Sequence, residues 1–290
     1  MIGQTPMINL LQDPIPKPLL WAGVPILALI LIVLFSFLRF PYDDFRQPLS
    51  NQLQRITQGE VQIGGIEPTL GWTGPGMAAL DINLTQPGQP RIRIDRLEMR
   101  PTWSSGWFRM EPTVHVDLES PMASANGVLA LGNTPGWSGQ IDVPDLSVLP
   151  LPPENTLGLT GSLHAEAELL LANAGPSGPV RFEAISGSFA HPEIPIPVDF
   201  DRLTGELQLG GRALVELKEV LLDGPIIAAD VEGVILPGPG NGEPSLDMDV
   251  IVEVKSAPLK AMMRGMGLRL DRSGLTSFKL GGTLSRPIAR

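Results

Sequence analysis

The sequence predicts a mainly β protein: an N-terminal single transmembrane helix, then a long antiparallel β-sheet with a few short amphipathic helices. Three observations predict it. Residues 19–38 run for twenty positions without a charged side chain. Beyond them, apolar and polar residues alternate in short stretches, the period of strands with one face buried and one wet. The 32 glycines and 30 prolines stand between those stretches, as the turns of a folded all-β body would.

A helix needs about 20 predominantly apolar residues to cross roughly 30 Å of hydrocarbon. The first segment supplies Leu19, Leu20, Trp21, Ile26, Leu27, Leu29, Ile30, Leu31, Ile32, Val33, Leu34, Phe35, Phe37 and Leu38. Its Leu, Ile, Val and Phe side chains each contribute about −0.3 to −0.6 kcal/mol at a helix centre, roughly −4 to −8 kcal/mol together as an upper figure. Pro25 sits near the start, where a lost backbone bond is re-satisfied locally. Trp21 and Tyr42 flank the segment as interfacial anchors do. A cleaved signal peptide would carry a shorter apolar core, about 7–15 residues, ending in a small-x-small site. This segment leaves instead through Phe37-Leu38-Arg39-Phe40-Pro41, where no such site stands. The organisation read here is a tail at 1–18, a retained helix at 19–40 and a β-rich body at 41–290. Lys17 before the helix, and Arg39 and Arg46 after it, leave its orientation open.

The net charge is −10. Asp13, Lys17 and Arg39 give the first forty residues +1, so the remaining 250 carry −11. An acidic body without a basic cluster excludes nucleic acid as a partner, and excludes electrostatic docking on anionic headgroups. The absence of cysteine removes disulfides, thiolate metal sites and thiol catalysis together. A body of this length suits one large β domain or two smaller ones.

Residues 41–59 predict a short amphipathic helix, with Phe45, Leu49, Leu53 and Ile56 on one stripe and Gly59 as a stop. Pro48 conflicts with a helix interior, so the helix is expected to begin near it. The period then changes to two. Ile82 and Leu84 alternate with Asp81, Asn83 and Thr85, and Ile92 and Ile94 with Arg91, Arg93 and Asp95. Val114, Val116 and Leu118 oppose His115, Asp117 and Glu119, while Leu163, Ala165 and Ala167 oppose His164, Glu166 and Glu168. Met248, Val250, Val252 and Val254 oppose Asp247, Asp249, Glu253 and Lys255. The prolines of residues 143–153 cannot serve a central strand, which makes that stretch a candidate sub-boundary; residues 191–197 form a second break. A loose echo places Gly161, Gly187, Gly205 and Gly282 beside apolar runs, as bulges or bends that would curl a long sheet. Leu259, Met262, Met263 and Met266 predict one more helix, opened by Pro258.

No motif of catalytic chemistry stands out. His115, His164 and His191 are far apart, and the first two fall on the polar phase of strands. Asp247 and Asp249 share a strand face that Glu253 and Lys255 continue, so they read as a solvated surface. Asp43-Asp44 read as polar residues next to the membrane. Residues 237–242 (Pro237 to Gly242) lack the Lys-Ser/Thr of a phosphate loop and read as a turn. No G-x-S-x-G, H-E-x-x-H or Walker pattern occurs. The aromatic knot Trp103-Ser-Ser-Gly-Trp107-Phe108 reads as a core plug under a loop, with a partner-binding edge as the alternative. The expectation is no enzyme, no metal and no cofactor.

The order of elements resembles the type II secretion system protein N (GspN) family. At the N-terminal end the resemblance is carried by Phe40, Pro41, Tyr42 and Asp43, by Val61-Gln-Ile-Gly64, and by Pro75-Gly76. At the C-terminal end it is carried by Ala257-Pro-Leu-Lys260, Gly267 to Asp271, Ser273-Gly274, and Leu280, Gly281, Gly282, Thr283, Leu284, Ser285, Arg286 and Pro287. That family, and the wider AsmA-like group it is similar to, implies an inner-membrane protein with a cytoplasmic tail and a periplasmic body. The implied fold is a curved antiparallel sheet, an open groove or half-barrel with an apolar concave face. The implied role is a non-catalytic component of the general secretion pathway with other secretion-system or envelope proteins as partners. An alternative is an AsmA-like protein that binds or transfers lipid or another hydrophobic ligand, and a third is a plain scaffold.

Overall fold

The computed structural model describes the chain from residue 25 onward, except residues 26, 30, 33–34, 38, 58, 72–73, 86–89, 103–105, 107–108, 150–157, 173–174, 191–196, 213, 239–242, 266–270, 272, 284–285 and 290. Two compact units are distinguished, Met1–Tyr42 and Asp43–Arg290.

In the first unit the described residues from Pro25 to Phe37 are helical. Their apolar side chains are largely exposed: Leu29, Ile32 and Phe35 each at 62%. No helix among the described residues is long and apolar enough to cross a membrane, which says nothing of spans made from strands. Leu19, Leu20, Trp21, Ile26, Ile30, Val33, Leu34 and Leu38 lie outside the described residues. Tyr42 closes the unit. It is buried, meets the Phe37 and Phe40 rings edge-on at 5.7 and 5.2 Å, and its hydroxyl donates to the Phe37 carbonyl at 2.7 Å. Burial pushes its phenol above the usual pKa.

The second unit opens at Asp43, inside a 3₁₀ turn, Tyr42–Phe45, that runs into helix α1, Arg46–Thr57. The helix starts two residues before Pro48, whose missing N–H falls in the first turn, where no intrahelical acceptor is available anyway. Asp43 pairs with Arg46 at 3.1 Å. Leu53 carries the apolar stripe onto the sheet, while the side chains of Phe45 and Ile56 lie outside the described set.

Fifteen strands then form one antiparallel sheet. They are β1 Glu60–Gln62, β2 Gly65–Gly71, β3 Gly74–Thr85, β4 Ile92–Thr102, β5 Thr113–Glu119, β6 Ser124–Ala130, β7 Gly136–Val143 and β8 Gly158–Ala172. The second half comprises β9 Gly175–Ala190, β10 Val198–Gly210, β11 Val215–Asp223, β12 Ile227–Leu236, β13 Ser245–Val254, β14 Leu275–Thr283 and β15 Pro287–Ala289. From β3 onward each strand pairs with its neighbour in sequence, a meander that needs only short turns. β1 and β2 both pair with β3. They are joined by Gly64, whose N–H donates to the carbonyls of Leu80 at 3.0 Å and Asp81 at 3.3 Å. A Cβ on Gly64 would lie 2.8 Å from that of Asp81, so the bend requires glycine.

The prolines after Val143 end a strand without ending the sheet. β7 and β8 pair directly, Val143 opposite Leu163. The connection folds back instead as a 3₁₀ turn, Leu146–Val148, capped by Asp145, whose carboxylate accepts the Ser147 N–H at 2.9 Å. Residues 191–196 lie outside the described residues, and β9 and β10 on either side of them are paired. The second helix, α2, spans Ala257–Gly265 with Pro258 in its first turn. Leu259 is half-buried; the side chains of Met262 and Met263, and Met266 altogether, are outside the described set.

The echoed glycines mark real irregularities. The β8–β9 register shifts at Gly161, which has φ +107°, and the β10–β11 register shifts at Gly205. Three non-glycine residues also adopt left-handed backbone within strands: Asp81 (φ 49°), Ser186 (φ 51°) and Glu219 (φ 47°). Each resets the alternation by one residue, so that apolar residues three apart share a face. Ala79 and Ile82 bury together, Ala184 sits with Gly187 under Phe200, and Leu217 and Val220 straddle a register shift against β12.

Candidate binding face

Cross-strand partners point to the same side of a sheet, so the pairing register defines its two faces. Following one line of partners from β3 to β14 meets Met77, Met99, Val116, Gly127, Gly139 and Ala167 in turn. The line continues through Val180, Leu207, Leu217, Gly233, Met248 and Leu280. Twelve successive strands thus contribute no polar side chain to this row. At about 4.8 Å per strand it runs for roughly 50 Å along the ladder. The adjacent row on the opposite face passes from β4 to β11 through Glu98, Asp117, Asn126, Gln140, Glu166, Arg181, Glu206 and Lys218, every one polar.

Aromatic rings fill the glycine gaps of the apolar face. The Trp137 indole lies over Gly127 and Gly139, so that a Cβ on Gly127 would come within 2.8 Å of Nε1. Phe182 covers Gly205 in the same way, with ring atoms 2.9 Å from where a Cβ would stand. Phe200 covers Gly187.

Among the described residues, chain outside the sheet packs on this face at two places. Near the N-terminal end, Leu53 of α1 joins Val61, Ala79 and Ile82. In the middle, Leu146 and Leu149 join Val143, Ala184 and Phe200. A third cluster, Leu246, Met248 and Val250, packs with Leu217, Val231, Ile235, Val252, Phe278 and Leu280, all of them strand residues of β11–β14.

The charged face is held by paired side chains. Arg96 donates to Glu98 at 3.0 Å, and Arg100 lies 2.8 Å from the same carboxylate and 3.4 Å from Asp117. Burial pushes the Glu98 carboxyl up, but the Thr69 and Arg96 side chains beside it, with the charges of Arg100 and Arg96, outweigh burial and hold the pKa below its ordinary value. The Arg100 side chain crosses Gly76, where a Cβ would come 2.7 Å from the Met99 carbonyl. His164 Nδ1 stands 2.6 Å from Asp142 and Nε2 is 3.9 Å from Glu166. The Asp142 hydrogen bond is the main reason its pKa is raised. A shallow depression of about 490 Å³ opens beside it, between Arg181, Thr204, Glu206 and Glu219. His115 pairs with Asp117 at 3.3 Å. No group of three or more metal-ligating side chains is gathered among the described residues.

The outer edge of β14 is covered at its two ends. At one end Asp271 N–H donates to the Leu275 carbonyl, and the Asp271 carboxylate accepts the Leu275 N–H at 2.7 Å. At the other end β15 covers Leu280 to Gly282. Such cover blunts strand addition at those positions.

Of the residues that carry the family resemblance, Tyr42, Gly64, Gly76 and Gly282 (φ +92°) occupy positions that the fold constrains. Phe40 and Pro41 are exposed, Asp43 pairs with Arg46, Pro75 lies in β3 opposite Leu70, and Leu280, Gly281 and Pro287 lie in the last hairpin. Leu284 is outside the described residues, as are His191, Trp103, Trp107, Phe108 and residues 239–242. Asp247 and Asp249 lie exposed on the charged face, with Lys279 3.3 Å from Asp249. Trp137 was not singled out from the sequence; its position between Gly136 and Gly139 was the available signal. Compared with protein-family models, curated proteins and solved structures, the chain matches none.

Proposed function

We propose that this chain is a non-catalytic component of the type II (general) secretion pathway, anchored in the inner membrane through residues 19–40, with residues 41–290 in the periplasm, and that it acts through protein contacts. The two-faced sheet carries the reading: a twelve-strand apolar row backs onto an ordered polar row, an arrangement that offers surface rather than reactive groups. The terminal resemblance supplies the pathway. The exposed Leu27, Leu29, Ile32 and Phe35 support the anchor, since lipid would cover them at little cost. The resets at Asp81, Ser186 and Glu219 support a sheet that curls into an open groove or half-barrel, because bulges add bend and twist. Crosslinking in intact membranes followed by purification through this chain tests the role. Secretion subunits are expected to co-purify; recovering none of them, with secretion intact in a deletion strain, overturns it.

The second reading is an envelope protein that binds or transfers lipid or another hydrophobic ligand along the apolar row. It is favoured by β11–β14, where the cluster around Met248 contains, among the described residues, strand residues alone. Native mass spectrometry of the full chain released from detergent should then show a bound lipid. A chain that emerges bare from several lipid compositions ends this reading.

A further inference from the structure

The charged face carries an apolar interruption that its pattern does not require. The reset at Glu219 turns Val220 and Leu222 inward and Leu221 outward. Leu221 pairs with Asp230, and Asp230 with Ile251, in one row across β11, β12 and β13. Leu221 and Ile251 are each 48% exposed. Asp230 between them has Oδ1 closed to solvent and without a hydrogen-bond partner among the described residues.

The surroundings are acidic, and their cations are already engaged. Lys255 binds Asp223, Lys279 lies 3.3 Å from Asp249, and Lys218 lies 3.9 Å from Glu216. No described cation is within ion-pair reach of Glu219, Asp230, Glu232 or Glu253. An ionised carboxylate with one oxygen cut off from water gains more than an ordinary surface acid from an arriving cation.

We infer that Leu221, Asp230 and Ile251 form a docking surface for an amphipathic helix of a partner protein, with a lysine or arginine over Asp230 and an apolar residue over each aliphatic side chain. The spacing selects a helix. Two inter-strand spacings, β11 to β12 and β12 to β13, set Leu221 and Ile251 about 10 Å apart. Residues i and i+7 on one helix face are about 10.5 Å apart, with i+3 and i+4 between them. An extended segment offers same-face steps of about 6.7 or 13 Å, and neither fits. The inference deepens the protein-contact reading above and rests on it for the partner being a protein. Tight binding at this surface belongs to its central charge and two apolar anchors.

The test uses the full chain in detergent and a synthetic helical peptide with Leu at i and i+7 and Lys at i+3 and i+4. Binding is followed by fluorescence anisotropy at low and high salt. The unaltered chain should bind the Lys peptide, and bind a version with Glu for Lys at least about tenfold more weakly. Asp230→Asn and Ile251→Thr, both close in shape and strand preference, should each weaken the Lys peptide by about tenfold. An unchanged thermal transition of each variant separates lost contact from lost fold; a variant that unfolds is replaced by Leu221→Thr. No binding by the unaltered chain, equal binding of both peptides, or variants that bind as the parent does overturns the surface. Because no secretion subunit takes part, this outcome is independent of the co-purification result.

Discussion

Under β7–β10 the apolar face is closed by chain from outside the sheet: Leu146 and Leu149 fold over Val143, Ala184 and Phe200. Across β11–β14 the same face has a cluster that, among the described residues, is built only from strand residues. Exposure of the cluster residues is low in both, 2–8% in the first and 8–9% in the second. The difference lies in the shell. Around Met248 the partly buried Leu217, Val231, Ile235, Phe278 and Leu280 shelter the centre laterally, as neighbours on a pleated surface do, and no described residue from outside the strands joins them. A row with one chemistry can thus be capped by chain from outside the sheet in one place and, among the described residues, be packed by strand residues alone in another.

The sharpest way to break this comparison is to remove one large side chain from each cluster. Phe200→Ala empties space beneath a cap that cannot fully collapse, because the ring also fills the space over Gly187. A loss of about 3–5 kcal/mol is expected in urea unfolding of the full chain in detergent. Met248→Ala, with neighbours free to lean in, should cost about 2–3 kcal/mol. Equal losses would mean that the cap adds nothing to the capped cluster.

The converse change overfills the capped region. Gly187→Ala puts a methyl where the Phe200 ring and the Thr160 carbonyl already sit. About 1–3 kcal/mol of destabilisation is expected. Recovery on combining it with Phe200→Leu, measured as a double-mutant cycle, would tie the cost to that ring rather than to the backbone. Independent, additive effects would count against it.

Glu219 tests the other region through its backbone. A left-handed conformation costs a non-glycine residue roughly 1–2 kcal/mol. Glu219→Gly removes that strain while keeping the reset, so a gain of about 0.5–1 kcal/mol is expected in the same unfolding assay, offset by the entropy of glycine. A loss of stability would show that the carboxylate itself is held by something more than its backbone.

Much of this fold was legible in the sequence, and the failures have a common cause. The alternations around Ile94, Val116, Ala165 and Val250 translated directly into strands with the expected faces, because period two is all a half-buried strand needs. The resets at Asp81, Ser186 and Glu219 were not legible, since a residue that flips the phase looks in sequence like a flaw in the pattern. Leu221 shows the consequence: strict alternation from Val215 would place it on the apolar face, and it stands outside. The glycine echo was readable as bending, but not as seats for Phe182, Phe200 and Trp137, which come from neighbouring strands or from two residues along the same one. The prolines after Val143 rightly ended a strand. Whether such a segment leaves the sheet or folds back over it depends on Leu146 and Leu149 finding an apolar surface, and local sequence does not describe that surface.

The smallest expected effect concerns the charged side of the capped region, where Asp142 of β7 meets His164 of β8. The Asp142 hydrogen bond raises the His164 pKa, so the folded state holds the proton more tightly than the unfolded chain does. The pair's contribution is fully present below the unfolded histidine value of about 6.5 and is lost as pH rises through the higher folded value. Both side chains are well exposed, at 44% and 57%, so solvent screening leaves only a few tenths of a kcal/mol. His164→Gln should remove a small fall in stability as pH rises above about 6.5, while leaving stability at high pH almost unchanged. The β11–β14 region has no histidine on either face, and Met248→Ala should leave that pH dependence intact. If His164→Gln instead lowers stability equally at every pH, the imidazole is packing against its neighbours, and the charged face is held by shape as well as by charge.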